Sequence, residues 1–211
     1  MTLTLRLVLA SQSPARLNLL RNAGFAPEAI VSGVDEDAFK ADSPVELALI
    51  LARAKARAVA EQVGPDALVI GCDSVLDLDG AALGKPADAA DAIGRWQAMR
   101  GREGILVTGH CLIDTRGADA PGEGWRELTQ AAATLVQFAE VSDAEIEAYV
   151  ATGEPLHVAG AFTLDGLSSP FVESIGGDPS NVIGLSLPLL RRMLGELGLA
   201  VSDLWTKPSE D

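Results

Sequence analysis

Apolar and polar positions alternate in two rhythms along this chain. Residues 3–10 (LTLRLVLA) alternate and then run apolar, the pattern of a buried strand, and stop at Ser11-Gln12-Ser13-Pro14. Ser13 suits an N-cap and Pro14 a first helical residue, so a helix is expected over 14–23, ending at Gly24. The longest helical pattern is 43–64, with Ser43 as N-cap, Pro44 at N1, Glu46 completing a capping box and Gly64 as the stop. Its apolar stripe reads as Leu47, Ile50, Leu51, Ala54 and Ala58. Lys55 falls on the edge of that stripe, about 80° from Leu47 at roughly 100° per residue.

Residues 67–86 read as a strand through Ile70, an interruption at Gly71-Cys72-Asp73-Ser74, a resumed strand and a hairpin turn at Asp79-Gly80. Two long strands follow, 104–114 and 128–141, joined by a loop containing Gly and Asp. Ser142 with Glu145 forms another capping box, opening a helix that closes at Gly153. AGAFTLDG and FVESIGGDPSNVIGLSL read as turns and short strands, PLLRRMLGELG as an amphipathic closing helix, and the tail from Ser202 as frayed or loosely docked.

Length and charge narrow the classes. With 211 residues and 48% hydrophobic content, the chain suits one globular unit over 1–205, with a cleft between two lobes and a frayed tail at 206–211. Thirty acidic against 16 basic residues, a net charge of −14, exclude a broad nucleic-acid footprint and affinity for an anionic membrane surface. The first apolar run is too short for a signal peptide, and no run of about 20 apolar residues occurs, so a cytoplasmic protein is expected. Cys72 and Cys111, without ligand-spaced partners, read as core thiols, and His110 and His157 as structural or rim residues. Neither GxxxxGK[ST] nor a GxGxxG after the first strand is present, so the common nucleotide folds are not indicated.

The odd residues share one chemistry. Asp73, between LVIG and SVL, would be desolvated at a cost of several kcal/mol unless compensated. The first strand ends where backbone N–H groups and a helix N-terminus converge, a setting for phosphate, and Arg16 in that first turn is disfavoured by the dipole unless an anion lies before it. Ser11, Ser13, Arg16, Lys55 and Lys85 supply donors and positive charge; Asp73 and the neighbours Asp35 and Glu36 supply carboxylates. Carboxylates beside phosphate-binding groups repel the substrate unless they hold a metal or activate water. The set therefore points to metal-assisted attack of water on a phosphoric anhydride.

The chain carries, in order, LASQSPAR (9–16), VDE (34–36), LARAKA (51–56), GCDSV (71–75), GKP (84–86), YVATGEPLHVAGAF (149–162) and NVIGLSL (181–187). This series resembles the Maf family of nucleoside triphosphate pyrophosphatases over about residues 5–198. The resemblance implies hydrolysis of a nucleoside triphosphate to monophosphate and pyrophosphate with a divalent cation, Mg²⁺ foremost and Mn²⁺ or Co²⁺ as alternatives. It also implies a mixed α/β fold, an elongated curved sheet with helices forming two lobes around a nucleotide cleft, often as a homodimer. By the same resemblance Asp73 is the general base, Glu36 helps hold the metal with Asp73, and Ser11, Arg16, Lys55 and Lys85 contact phosphates.

Three positions bear on specificity: Ala15, Ser74 and Asp165, where the branch acting on dTTP and UTP carries Arg, Thr and Gln. The stretches PLHVAGAF…DG and GGDPSN instead resemble the branch acting on 7-methyl-GTP, whose acidic residue matches Asp165. That branch has Trp and Gln at the other two places, so Ala15 and Ser74 match neither. Gly104 replaces a frequent histidine and Ser186 a usual proline. Three functions are consistent with these residues: a pyrophosphatase on selected nucleotides, a narrow 7-methyl-GTP pyrophosphatase, and a nucleotide-binding regulator of septum formation with little turnover. A desolvated carboxylate facing phosphates serves a hydrolase and burdens a mere binder.

Overall fold

A computed structural model describes residues 5–117 and 122–206. The elements run β1 (Arg6–Leu9), α1 (Pro14–Asn22), β2 (Glu28–Ala29), α2 (Pro44–Val63), β3 (Ala67–Leu78), β4 (Ala81–Leu83), α3 (Ala89–Met99), β5 (Glu103–Asp114), β6 (Arg126–Phe138), α4 (Asp143–Ala151), β7 (Val172–Gly176), α5 (Pro179–Ile183) and α6 (Leu187–Glu196). The fold is mixed α/β, with one seven-stranded sheet in the order β2-β1-β3-β5-β6-β7, and β4 pairing β3. β1 is parallel to β2 and β3; the other pairings are antiparallel.

β3 runs unbroken through Gly71–Ser74, where an interruption was expected. Its edge is what breaks. β1 pairs with residues 67–70 and β4 with 76–78, so 71–75 have no strand on that side, while β5 pairs along the other side without a gap. The polar composition of the segment reflects this open edge, not a bend in the strand.

Alternation along β3 separates two faces. Leu68, Ile70 and Cys72 pack under α1 and α6, and Leu76 and Leu78, farther along the same face, pack with Trp96, Phe138 and Tyr149 under α3 and α4. Between these apolar clusters lies a buried polar belt of Thr108, Thr134 and Asn181. The opposite face packs against α2 through Val69, Cys111 and Ile113.

α2 buries Ala48, Leu51, Ala52, Lys55, Ala56, Val59 and Ala60, a face rotated from the expected Leu47/Ile50/Leu51/Ala54/Ala58 stripe. The sheet beneath explains it. A Cβ on Gly71 would collide with the Ala52 carbonyl oxygen, and one on Gly109 with that of Ala48, so at these two points the helix backbone sits directly on the sheet. Lys55 accordingly lies in the middle of the buried face and not on its edge.

The caps form where expected, with one shift. Ser13, Ser43 and Ser142 each accept from the backbone N–H three residues on, and Glu145 completes the reciprocal box at Ser142. With Ser43 extended (φ −147), the Glu46 carboxylate accepts instead from the N–H of Asp42 at 3.1 Å, so the second box does not close. Within the stretch read as turns and short strands, α5 is a helix, capped by Asp178 and opened by Pro179, too short to show a period. The tail is docked as far as described: Leu204 is buried, Trp205 bridges Phe25, and the Thr206 N–H donates to the Gly24 carbonyl. Residues 207–211, part of the expected frayed tail, and 118–121 of the β5–β6 loop lie outside the described residues. Cys72 and Cys111 are buried and unpaired, and no described helix is long and apolar enough to cross a membrane.

Candidate active site

The unpaired edge of β3 is where the charged residues gather. Asp73, 7% exposed, points toward α2 and meets Lys55 Nζ at 2.6 Å. The same Nζ lies 2.7 Å from Oε1 of Glu36, which opens a short 3₁₀ turn (Glu36–Ala38) capped by Asp35. One buried ammonium therefore bridges two carboxylates from separate segments. Burial lifts Asp73 above the ordinary carboxylate range; Lys55 and Arg16 pull it down without overcoming that rise. Glu36 is biased the other way: burial works to raise it, but the Lys55 ammonium, helped by Lys85 and Arg16, holds it below its ordinary value.

Ser74, the next residue, points to the opposite face. Its Oγ accepts from Nη2 of Arg16 at 3.0 Å and pairs with Thr108 Oγ1 at 2.9 Å. Arg16 also donates through Nε to the Gly184 carbonyl at 2.7 Å and through Nη1 to Ser11 Oγ at 3.4 Å. Ser11 further accepts from the N–H of Ser13, whose own hydroxyl is engaged as the α1 cap. Ala15 follows on the first turn of α1.

Ser11, Arg16, Glu36, Lys55, Asp73 and Ser74 are thus linked around residues 73–74, and exposed Lys85, after β4, lies near enough to act on Glu36. Asp165 is elsewhere. It is exposed in a turn where Thr163 Oγ1 donates to it at 2.8 Å, and it makes no hydrogen bond to the Asp73 group. That turn is braced by Glu154, whose carboxylate accepts from the N–H of Leu167 (2.9 Å) and from the hydroxyl of Tyr149 (3.1 Å). His157 is exposed, whereas His110 is fully buried between the Thr108 carbonyl (3.0 Å) and the N–H of Ser186 (2.8 Å).

Thr108, Asn181 and Gly184 escaped the reading of the residues. The available signal was Thr108 and His110, polar side chains two apart on one face of an apolar strand, which is where core residues belong.

The two carboxylates that meet on Lys55 offer oxygen donors only, and among the described residues no group of three or more His, Cys, Asp or Glu gathers to form a cage. That donor set fits a hard divalent cation and not a soft-metal site.

A family model described as Maf-like protein matches residues 6–197. The nucleoside triphosphate pyrophosphatase of Streptomyces coelicolor is 63% identical over 209 residues, covering 98% of this chain and 97% of that protein. The protein of the same name from Salinispora tropica is 57% identical, covering 98% and 90%. Among solved structures, a HAM1 protein from Coxiella burnetii aligns with a TM-score of 0.40 and 23% identity, covering 65% of this chain and 74% of its own.

Proposed function

This chain belongs to the Maf-like protein family, and on that premise we propose that it is a nucleoside triphosphate pyrophosphatase, releasing nucleoside monophosphate and pyrophosphate with water activated by Asp73. The observation that carries the reading is the burial of Asp73 beside two cations, Lys55 at 2.6 Å and, one residue away, Arg16 on Ser74. A carboxylate raised above its ordinary range accepts a proton from water more readily than a solvated one. Arg16, Lys55 and Lys85 bind triphosphate oxygens and stabilise the charge that builds on departing pyrophosphate. Ser11 lends its hydroxyl to the same end, while Ser13 acts through its backbone and cap.

Glu36 and Asp73 would hold a divalent cation, Mg²⁺ first and Mn²⁺ or Co²⁺ as alternatives, which supplies charge neutralisation at the non-bridging oxygens. Glu36 would serve such a cation as an oxygen ligand in place of its contact with Lys55, and the Lys55 ammonium would then be available to the phosphates. Low affinity of Glu36 for a proton keeps it ready as an oxygen ligand. Ala15, Ser74 and Asp165 are the positions at which this chain sets its base preference, 7-methyl-GTP included.

The test is a substrate panel on purified protein: the common ribo- and deoxyribonucleoside triphosphates and 7-methyl-GTP, each with Mg²⁺ and with EDTA, products separated by chromatography. Metal-dependent monophosphate and pyrophosphate in equal amounts are expected. Intact triphosphates with measurable nucleotide binding would give the reading over to a regulator.

A further inference from the structure

We propose that Thr108 and His110, two inward residues of β5, are positioning residues for the Arg16 guanidinium, each acting through a different intermediary on a different nitrogen. The inference rests on Arg16 binding phosphate, as argued above.

The first path is a chain of hydroxyls. Thr108 Oγ1 donates its one hydrogen to the Asn181 carbonyl at 3.1 Å, so in its 2.9 Å contact with Ser74 it must accept. Ser74 then donates inward and presents a lone pair to Arg16 Nη2 at 3.0 Å. Without Thr108 the Ser74 hydroxyl is free to turn its hydrogen toward the guanidinium, the wrong polarity.

The second path runs through an imidazole. The Thr108 carbonyl accepts from Nδ1–H of His110, which fixes the neutral tautomer and leaves a lone pair on Nε2 for the N–H of Ser186 at 2.8 Å. Together with the N–H of Leu187 on Ser180 Oγ at 2.9 Å, that bond pins the turn entering α6. Gly184, at the head of the turn, places its carbonyl 2.7 Å from Arg16 Nε. Its backbone is left-handed (φ +122), and a Cβ there would stand 3.0 Å from the same nitrogen, so the approach is built for glycine.

These bonds engage three of the five guanidinium N–H donors, counting that to Ser11, and leave one on each terminal nitrogen uncommitted among the described residues. A solvated arginine loses side-chain freedom on gripping a phosphate. Here the loss is taken during folding, and the benefit falls on substrate affinity.

Steady-state kinetics with the best triphosphate test this, each variant first shown to be folded by its melting curve. Thr108→Val and His110→Leu are each expected to raise KM about five- to tenfold, the weight of one hydrogen bond, with kcat within about twofold of wild type. Thr108→Ser and His110→Gln, which keep the polar groups, should restore KM. Neither Thr108→Val nor His110→Leu should add to the KM of Arg16→Ala. Gly184→Ala leaves β5 intact and should raise KM in the same way, so it substitutes for a β5 variant that fails to fold. Wild-type KM in folded Thr108→Val and Gly184→Ala, or full additivity with Arg16→Ala, overturns the proposal. A wild-type protein idle on every triphosphate overturns the functional reading along with it, and is told apart because it needs no variant.

Discussion

Lys55 Nζ lies 2.6 Å from an oxygen of Asp73 and 2.7 Å from one of Glu36, yet the two carboxylates are biased in opposite directions, Asp73 toward holding a proton and Glu36 away from it. Burial makes the difference: Asp73 is enclosed by sheet and helix, whereas the Glu36 side chain is 43% exposed. Two like groups sharing one cation are thereby suited to different tasks, the first to take a proton from water and the second to remain an anionic ligand.

Asp73→Asn should lower kcat by about two to four orders of magnitude, the usual contribution of a general base, while nucleotide binding persists. Because the Asp73 carboxyl is raised in the fold, its ionised form costs folding free energy above that pKa, so the amide should melt at or above the wild-type temperature. Near-normal turnover in the amide removes Asp73 as the base.

Lys55→Met keeps the length of the side chain and deletes the charge. It leaves buried Asp73 without its partner, and should cost about 3 kcal/mol, a drop in melting temperature of roughly 6–12 °C. Asp73→Asn combined with Lys55→Met should recover part of that drop. A melting curve unmoved by Lys55→Met would reduce the ion pair to an incidental contact.

His110 carries its own pH signature. Burial, with a smaller push from Arg16, drives its pKa down to about 4 despite the hydrogen bond to the Thr108 carbonyl. An unfolded histidine takes up a proton near pH 6.5, so this group's contribution is complete above about 6.5 and is lost as pH falls toward 4, about 3 kcal/mol in all. Urea denaturation at a series of pH values should show that slope, and His110→Gln should flatten it. Equal slopes in the two proteins would mean that the ring is protonated without resistance.

Glu154→Gln weakens the brace on the turn that carries Asp165, because one face of an amide repels the N–H groups a carboxylate accepts. The relative kcat/KM values across bases should move by about threefold or more, while the melting temperature changes by only about 2–4 °C, the effect of one partly exposed hydrogen bond. Asp165→Asn should shift the same ratios without any change in melting. Unaltered base preference in both variants would confine the turn to a structural part.

How much could be read from the residues differs from element to element. Ser13-Pro14, Ser43-Pro44 and Ser142 with Glu145 marked helix starts because a cap is a local bond between residues three apart. Asp73 stood out because a carboxylate in an apolar run is costly wherever the run folds. The buried face of α2 was not readable from the helix, since Gly71 and Gly109, distant in sequence, set it. The apparent break in β3 was an edge without neighbours, a property of β1 and β4. Lys55, Asp73 and Arg16 could be grouped by their shared chemistry, but only the fold shows that Asp73 and Ser74 face opposite ways, dividing the cations between the two sides of one strand.

The alanine-on-glycine contact gives α2 a further role. A helix held off a sheet by large side chains can slide as those side chains change rotamer; one seated on bare backbone has no such play. α2 is in effect a fixed datum, and Lys55 is measured from it. Drift elsewhere in the core can be absorbed without disturbing the ammonium, but a single methyl added at Gly71 or Gly109 would lift the whole helix, and with it the alignment of a site whose own residues were untouched.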